Sequence, residues 1–244
     1  MTRYLARAGL SSRRGAEKLV DAGVVTVNGA PAVPGMLVDA DRDRVAVRGE
    51  PVRPPAGHRY LALHKPAGVL VTARDPGGRR TIYELLPDQE RRRHLVYVGR
   101  LDLESGGLLL LTDDGALAYR LTHPRYEVPR EYVVDVAGVP ASRDLQRLRD
   151  GVTLDDGPTR PAEVELLRAV AGRARLRVII HEGRKRQVRR MLDAVGHPVE
   201  TLTRTGIGPL RLGRLRPGGY RTLRPVEVEA LRRVTGMPVA KEDW

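Results

Sequence analysis

One short stretch of the chain combines a charged pair with glycines and a long apolar run. Residues 98–112 read Val-Gly-Arg-Leu-Asp-Leu-Glu-Ser-Gly-Gly-Leu-Leu-Leu-Leu-Thr. If Arg100 to Asp102 is extended, alternate side chains point the same way, so a guanidinium lies beside the Asp102 carboxylate. Nearby glycines allow a ligand to approach the backbone closely. The stretch has the parts of a site for an ionised carboxylate, although an Arg-x-Asp pair is more often a structural ion pair.

A second feature is the uneven distribution of positive charge. The chain carries a formal net charge of +13, and residues 183–224 alone contain eleven cations and two anions. Such clustering is typical of a surface that binds a phosphate backbone, although a solvated surface is the simpler alternative. Nearly all the cations are arginines, whose planar group suits phosphate and base edges. The charge therefore favours a nucleic-acid partner over a membrane surface.

Composition excludes several classes of protein. The 244 residues suit one large domain or two unequal ones, and 41% hydrophobic with 30% charged residues indicates a globular chain. The absence of cysteine excludes disulfides, thiolate metal sites and cysteine nucleophiles. Arginines occupy the N-terminus where a signal peptide needs an apolar stretch, and the run Leu108–Leu111 is too short to cross a bilayer. We therefore expect a cytoplasmic protein with no membrane partner.

The chain divides into segments of different character. Residues 1–48 predict a small domain of two short helices and a hairpin, with Ser11 or Ser12 as a cap and Asn28-Gly29 as the turn. The proline- and glycine-rich residues 49–58 predict a linker. Residues 59–236 predict a second domain, and 237–244 a short tail. On the second helix, Arg13, Arg14 and Lys18 form a basic surface suited to RNA phosphates.

The longer segment predicts an α+β domain built on a mostly antiparallel sheet. The pattern of apolar residues predicts strands at Tyr60–Leu63, Leu108–Leu111, Tyr132–Val136, Ala162–Leu167 and Leu176–Ile180. It predicts helices at Ile82–Leu86, Ala116–Leu121, Ser142–Arg149 and Lys185–Val195. These elements lack a regular strand-helix-strand alternation, which favours α+β over a parallel α/β sheet.

Several motifs together resemble known families. The run ARAGLSSRRGAEKLVDAGVVTVNG resembles the small RNA-binding domain named after ribosomal protein S-four. GRLDLESGGLLLLTDDG resembles the signature of pseudouridine synthases, in the ribosomal-RNA branch that carries this N-terminal domain. LHKPAG, REYVV and HEGRKRQVRRM, at residues 63–68, 130–134 and 181–191, resemble three further motifs of that family in the expected order. The resemblance covers nearly the whole chain.

The resemblance implies an enzyme that isomerises uridine to pseudouridine in ribosomal RNA without a cofactor or metal. By it, Asp102 is the catalytic aspartate, Tyr132 faces the target base and Arg189 pairs with the aspartate. Arg100 then enters the RNA stack when the base is flipped out. Further RNA contacts are expected from the cations that the motifs contain: Lys65, Arg184, Lys185, Arg186 and Arg190. Large-subunit rRNA is favoured over small-subunit rRNA, and a monomer is expected.

Two other functions remain open at this stage. Glu104, Asp113 and Asp114 lie near Asp102 in the sequence, as they would in a metal-dependent nuclease. A non-catalytic RNA-binding or ribosome-assembly factor that retains the fold is the rival from another class. The histidines show no ligand spacing, and no phosphate-binding glycine motif occurs, so zinc hydrolysis and nucleotide chemistry are not supported.

Overall fold

A computed structural model of the protein describes residues 1–91, 93 and 95–238. The chain forms two compact units. The first unit comprises Met1–Arg59 and Leu86–Val96, and the second comprises Tyr60–Leu85 and the chain from Tyr97 onward. Most of the predicted tail, 239–244, lies outside the described residues.

The first unit begins with two helices, α1 (Thr2–Arg7) and α2 (Arg13–Asp21). Ser12 is the cap of α2, and its side chain accepts a hydrogen bond from the backbone N–H of Gly15. The helices pack through buried apolar side chains on a small sheet, and this core contains Tyr4, Leu5, Ala16, Val20, Val25, Val27, Ala32 and Val45. The basic face of α2 consequently points away from the core.

The small sheet has the order β2-β1-β3-β4, and its strands are β1 (Val25–Val27), β2 (Ala30–Pro31), β3 (Val45–Val47) and β4 (Glu50–Val52). Asn28 and Gly29 have φ of 52° and 86°, which suits the two-residue turn predicted between β1 and β2. The predicted hairpin is confirmed. Strand β4 lies within residues 49–58, the segment predicted as a linker. It pairs with β3, and the carbonyl oxygen of Val52 accepts a hydrogen bond from Tyr4 OH at 2.8 Å.

The first unit also includes a segment from later in the sequence. It contains helix α3 (Asp88–Arg91), which falls within the predicted second domain 59–236. The buried carboxylate of Glu90 accepts hydrogen bonds from Arg59, including one from Nε at 3.1 Å. Residues far apart in sequence therefore complete this unit.

The second unit is an α+β domain, as the sequence predicts. Its strands are β5 (Tyr60–Lys65), β6 (Val96–Val98), β7 (Gly106–Thr112), β8 (Arg130–Ala137), β9 (Thr153–Leu154), β10 (Gly157–Pro158), β11 (Glu163–Val170), β12 (Arg173–Ile180), β13 (Val199–Ile207), β14 (Leu210–Arg211) and β15 (Tyr220–Thr222). Its helices are α4 (Gly115–Thr122), α5 (Ser142–Asp150), α6 (Gln187–Asp193) and α7 (Pro225–Val234).

The described residues of this unit form a nine-stranded sheet of order β11-β12-β8-β13-β7-β5-β15, with β14 on β13 and β6 on β7. Strands β13 and β7 pair in parallel, and the other neighbours on this path pair in antiparallel fashion. The run Leu108–Leu111 is completely buried, as expected for a strand covered on both faces. It gives the loop before it a rigid support.

Several elements differ from the sequence prediction, and helix α7 and strand β15, for example, were not predicted. The helix expected at Lys185–Val195 is α6, which begins at Gln187 because Arg186 has a left-handed φ of 51°. The helix expected at Ile82–Leu86 is a short 3₁₀ turn, Ile82–Leu85. Strand β13, central to the sheet, was not predicted, although Val199, Thr201, Thr203 and Thr205 alternate as strand residues do.

Candidate active site

Four neighbouring strands carry one row of residues across the sheet. The Cα partners run from Tyr132 on β8 to Arg204 on β13, Gly107 on β7 and Lys65 on β5. Gly107 has a φ of 111°, and a Cβ there would overlap the backbone N and O of Arg204. Only glycine therefore allows β7 and β13 to approach this closely. The row brings a tyrosine and two cations together near the centre of the sheet.

Asp102 lies in the loop that connects β6 to β7, and Lys65 holds that loop. Lys65 Nζ donates hydrogen bonds to the carbonyl oxygens of Pro66, Leu103 and Ser105 at 3.0, 3.4 and 2.6 Å. The lysine is completely buried. The RNA contact predicted for Lys65 is therefore not available in this structure, because its ammonium group is used inside the protein to fix the loop of Asp102.

Burial and neighbouring charges act on Lys65. Desolvation lowers the pKa of its ammonium group to about 8, the charge of Asp102 opposes this shift, and the charge of Arg204 adds to it. Asp102 and Arg204 are thus each close enough to Lys65 to act on its charge. The ammonium group of Lys65 therefore attracts the Asp102 carboxylate.

Arg204 is a second buried cation of the site. Its side chain is 2% exposed, Nε donates to Leu108 O at 2.8 Å, and Nη1 donates to Arg100 O at 3.4 Å. Nη2 is buried without a hydrogen-bond partner in the described structure. A buried guanidinium nitrogen without a partner is costly, so it marks a place where a ligand atom would complete the site.

These residues surround a cavity of about 270 Å³ in the second unit. The predicted site residues Arg100, Asp102 and Tyr132 line it, together with the cations Arg184, Lys185, Arg186, Arg130 and Arg204. Asp102 is the one carboxylate among the described lining residues. The half-buried carboxylate has no hydrogen bond or ion pair with any residue in the described part of the chain. It is therefore available to a ligand.

Arg189 does not pair with Asp102, in contrast to the prediction. The side chain of Arg189 is buried on α6 and Nη1 donates to Val199 O at 3.2 Å, while Nε and Nη2 lack partners in the described structure. Arg189 is also absent from the residues that line the cavity, whereas its neighbours Gln187 and Val188 are present. The rotation of α6 turns Arg189 towards the start of β13, and Arg204 and Lys65 supply the positive charge near Asp102.

Tyr132 faces the cavity with little exposure to solvent. It is 7% exposed and lies directly across from Arg204 on the neighbouring strand. Two residues earlier, Arg130 also lines the cavity, and its Nη2 donates to Leu121 O at 3.1 Å. Burial lowers the pKa of Arg130, and the charge of Arg204 acts in the same direction. The ring of Tyr132 is therefore placed between cations at the edge of the cavity.

The basic segment 184–190 is held largely by ion pairs. Arg184 contacts Glu182 and Asp156 and donates to Gly157 O at 2.9 Å, which attaches it to the hairpin of β9 and β10. Arg190 pairs with Asp156 at 2.6 Å, and Arg186 pairs with Glu104 at 3.2 Å. Lys185 is exposed at the cavity without an ion pair in the described residues.

The cations of α2, in the first unit, differ from most of those in segment 184–190 because they make no ion pairs among the described residues. Arg13, Arg14 and Lys18 are all exposed. Among the residues that the structure describes, none of the three makes a hydrogen bond or an ion pair through its side chain. They are thus free to contact a polyanion.

Sequence reasoning missed Arg204 and Arg130 as site residues. Arg204 lies on β13, whose alternation of threonines with Leu202 and Arg204 is the signal that could have revealed it. Arg130 precedes Tyr132 by two positions on β8, so period-two spacing places both side chains on one face. Ser105 also lines the cavity, and its buried hydroxyl has no hydrogen-bond partner in the described structure.

The other carboxylates near Asp102 in sequence have separate structural contacts. Asp114 caps α4 by accepting from the N–H groups of Ala116 and Leu117, each at 3.1 Å. Glu104 pairs with Arg186. Over the described ranges, the structure contains no cluster of three or more histidine, aspartate or glutamate side chains that would hold a metal ion. The carboxylate set expected of the nuclease alternative is thus not assembled at the cavity.

Comparison with known families supports the fold. The family model described as RNA pseudouridylate synthase matches residues 59–194, and the model of the S4 domain matches residues 3–45. The chain belongs to the RNA pseudouridylate synthase family. It is an isomerase that forms pseudouridine in RNA, and its N-terminal S4 domain is an RNA-binding domain.

Individual relatives are similar over nearly the whole chain. An uncharacterized RNA pseudouridine synthase of Aquifex aeolicus (strain VF5) is 41% identical, covering 97% of this chain and 95% of the relative. The ribosomal large subunit pseudouridine synthase B of Bacillus subtilis (strain 168) is 38% identical, covering 95% of both. A crystal structure of a pseudouridylate synthase has a TM-score of 0.67 and 31% identity, covering 93% of this chain and 96% of that one.

Within the described ranges, every helix is too short or too polar to reach across a bilayer.

Proposed function

We propose that this protein converts a uridine of large-subunit ribosomal RNA to pseudouridine by flipping the base into the cavity beside Asp102. The observation that carries the proposal is a single carboxylate in a cavity whose described lining also includes six cations and a tyrosine. The choice of RNA is supported by the relative in Bacillus subtilis, whose name specifies the large ribosomal subunit, and by 38% identity to it over 95% of the chain.

The reaction requires a carboxylate, and it is an isomerisation in which uridine and pseudouridine contain the same atoms. The N1–C1′ bond of the nucleotide breaks, the uracil turns, a C5–C1′ bond forms, and the proton lost from C5 is balanced by one gained at N1. Asp102 serves as a nucleophile towards sugar or base, or as a proton acceptor, and either role requires the ionised form. Lys65 is close enough to Asp102 for their opposite charges to interact, and Arg204 lines the same cavity as Asp102.

The target base has to leave its stack to reach Asp102. Extrusion costs roughly a few kcal/mol. Arg100 is exposed at the cavity, where its side chain can fill the space that the base vacates and offset part of this cost. The ring of Tyr132 then stacks on the extruded uracil, and its hydroxyl is placed to assist proton removal.

Phosphates of the surrounding RNA are bound by exposed cations. In the first unit these are Arg13, Arg14 and Lys18, and at the cavity Lys185 is exposed in the same way. Arg184, Arg186 and Arg190 contribute positive charge, but each already holds an acidic partner. Such contacts position the RNA without reading its sequence. The protein acts as a monomer in this proposal.

The decisive experiment is the Asp102→Asn variant assayed on in vitro transcribed large-subunit rRNA. Pseudouridine is detected by carbodiimide adducts and primer extension, and affinity is measured by filter binding. We expect turnover to fall by about 10⁴-fold or more, because no other lining carboxylate can replace Asp102. RNA affinity should remain within about twofold, since Asp102 makes no phosphate contact.

Glu104→Gln is the matched control. Glu104 is an exposed acid two positions further on, and it does not line the cavity. Its variant should retain most of the turnover. If the wild-type protein binds rRNA but forms no pseudouridine in it, the non-catalytic assembly factor is the correct interpretation.

A further inference from the structure

Three aromatic rings cluster where α4 ends and a short 3₁₀ turn, Pro124–Tyr126, begins. The ring centroids of Tyr119 and His123 are 4.9 Å apart, and Tyr126 lies 6.3 Å from each of them in an edge-to-face arrangement. These distances and angles are those of interacting aromatic pairs. The rings thus form one group, which we name the aromatic rim.

Two arginines are part of the same group. The guanidinium carbon of Arg125 lies 4.6 Å from the ring centroid of Tyr126 and 5.8 Å from that of Tyr119. The guanidinium carbon of Arg120 lies 5.2 Å from the Tyr126 centroid. Arg125 also donates a hydrogen bond to Tyr126 OH. The aromatic rim therefore combines ring faces with the planar cation of Arg125.

The aromatic rim is anchored on one side and open on the other. Tyr126 packs against the hydrophobic core of the second unit. Tyr119 is 49% exposed, and Arg125 is exposed beside it. The chain has only eight tyrosines, one tryptophan and no phenylalanine, so few aromatic rings can be exposed at its surface. Packing of the core does not account for the position of Tyr119.

The aromatic rim adjoins the proposed active site. Thr122 and Pro124, which lie between its members in sequence, both line the cavity that contains Asp102. Thr122 Oγ1 donates to Tyr119 O at 3.1 Å, so the last turn of α4 is a continuous piece of structure from the rim to the cavity wall. The aromatic rim therefore lies within a few residues of the cavity wall.

We propose that the aromatic rim binds an unpaired nucleobase that neighbours the flipped uridine, by stacking it on Tyr119 and Arg125. This inference rests on the proposed function. Bases stack favourably on aromatic rings and on guanidinium planes, and such stacking accepts any base because every base has a flat face. The rim thus selects an unstacked stretch of RNA next to the target rather than a particular sequence.

The test uses a short single-stranded RNA that carries 2-aminopurine, whose fluorescence decreases when the base stacks. The full chain is compared as wild type, Tyr119→Leu and Tyr119→Phe. We expect the leucine variant to lose most of the quenching and about tenfold in affinity, since one stacked base contributes on that order. The phenylalanine variant keeps a ring and should match the wild type in both measurements.

Two further variants separate stacking from general effects. Arg125→Gln removes the exposed guanidinium and should weaken binding several-fold, which provides a second reading if Tyr119→Leu does not fold. Leu167→Ala removes an exposed apolar side chain on β11, away from the cavity lining, and should leave binding unchanged. Thermal unfolding of each variant shows whether the fold is retained.

The outcomes distinguish this inference from the proposed function. If Tyr119→Leu and Arg125→Gln quench and bind like the wild type, the aromatic rim only stabilises the end of α4 and the inference is wrong. If the wild type quenches the probe and the leucine variant does not, the inference holds even where rRNA acquires no pseudouridine. An absence of pseudouridine in rRNA would refute the proposed reaction but not the stacking of a base on the aromatic rim.

Discussion

The two basic segments, α2 in the first unit and residues 184–190 in the second, use similar residues in different ways. Arg13, Arg14 and Lys18 of α2 are exposed and have no ion pairs within the described residues. In the second segment, Arg184 and Arg190 hold Asp156, and Arg189 is buried. Positive charge in the first case is free for a partner, and in the second it is largely used to build the wall of the cavity.

This difference shows that a run of arginines does not identify an RNA contact by itself. An arginine that already holds a carboxylate gains less from a phosphate, because the acidic partner has to be released first. The first unit should therefore dominate the salt dependence of RNA binding, and the second unit should dominate geometry and turnover.

The largest effect is expected from Gly107→Ala. The added Cβ would overlap the backbone of Arg204 at a φ that other residues rarely adopt. We expect a loss of about 3 kcal/mol or more in the free energy of unfolding and loss of turnover. Thermal denaturation and a single-turnover assay measure both. Gly115→Ala is the control, because open space surrounds Gly115 and its backbone is ordinary, so stability should stay the same or rise.

Arg184→Gln and Lys185→Gln form a matched pair of neighbours. Arg184 attaches the hairpin of β9 and β10 through Gly157 O and pairs with Glu182, so its loss should cost about 2 kcal/mol of unfolding free energy. Lys185 is exposed without such contacts, so its variant should unfold within about 0.5 kcal/mol of the wild type. Urea denaturation compares the two. Equal losses would contradict the structural role assigned to Arg184.

The pH dependence of turnover should reveal Lys65. Its pKa of about 8 means that Lys65 is cationic below that pH and loses its charge above it. Since the cation attracts the Asp102 carboxylate and holds the loop of Asp102 by hydrogen bonds, the single-turnover rate should fall as the pH rises through about 8. The folded pKa is below the ordinary value of 10.5, so the charged form costs stability below pH 8. That cost is relieved as the pH rises from about 8 towards 10.5.

Two arginine substitutions test whether Lys65 causes the fall in the single-turnover rate near pH 8. Lys185→Arg changes an exposed lysine and should keep the fall near pH 8. Lys65→Arg retains its charge at all these pH values, so the fall should disappear from that variant if it folds. In the wild type, urea denaturation between pH 7 and 10 provides an independent reading, and stability that declined steadily over this range would contradict the assignment.

The smallest change in stability is expected from replacing Arg13, Arg14 and Lys18 together by glutamine. All three are exposed and unpaired in the described structure, so unfolding should change by no more than about 0.5 kcal/mol. RNA affinity should nevertheless fall, and the slope of log K against log salt should decrease by about two. Filter binding over a salt series measures the slope. An unchanged slope would show that the phosphate contacts lie elsewhere.

Local patterns in the sequence predicted much of the fold. The buried run Leu108–Leu111, the Asn28-Gly29 turn and the cap at Ser12 each depend on residues close together in the chain. Strand β13 was missed because its pairing with β7 and β8 is a non-local property, and its threonines and Arg204 make it polar. Sequence spacing does not specify which distant strand supplies a partner.

The candidate site could be predicted only in part, because it also depends on contacts between residues far apart in the sequence. Asp102 and Tyr132 lie in motifs with a clear pattern, and the structure brings both to one cavity. The choice between Arg189 and Arg204 as the cation near Asp102 depended on the rotation of α6 and on the register of β13, and neither follows from local sequence. Lys65 was predicted to contact RNA, and only tertiary contacts show that its ammonium group donates to three carbonyl oxygens inside the protein.

The make-up of the first unit has a practical consequence for protein engineering. Because Leu86–Val96 belongs to that unit, a gene fragment ending after Arg59 encodes an incomplete first unit. Such a fragment would leave Arg59 without Glu90, the acid that meets it in the intact chain. Isolating this RNA-binding module therefore calls for two stretches of coding sequence joined by a designed bridge rather than a single truncation.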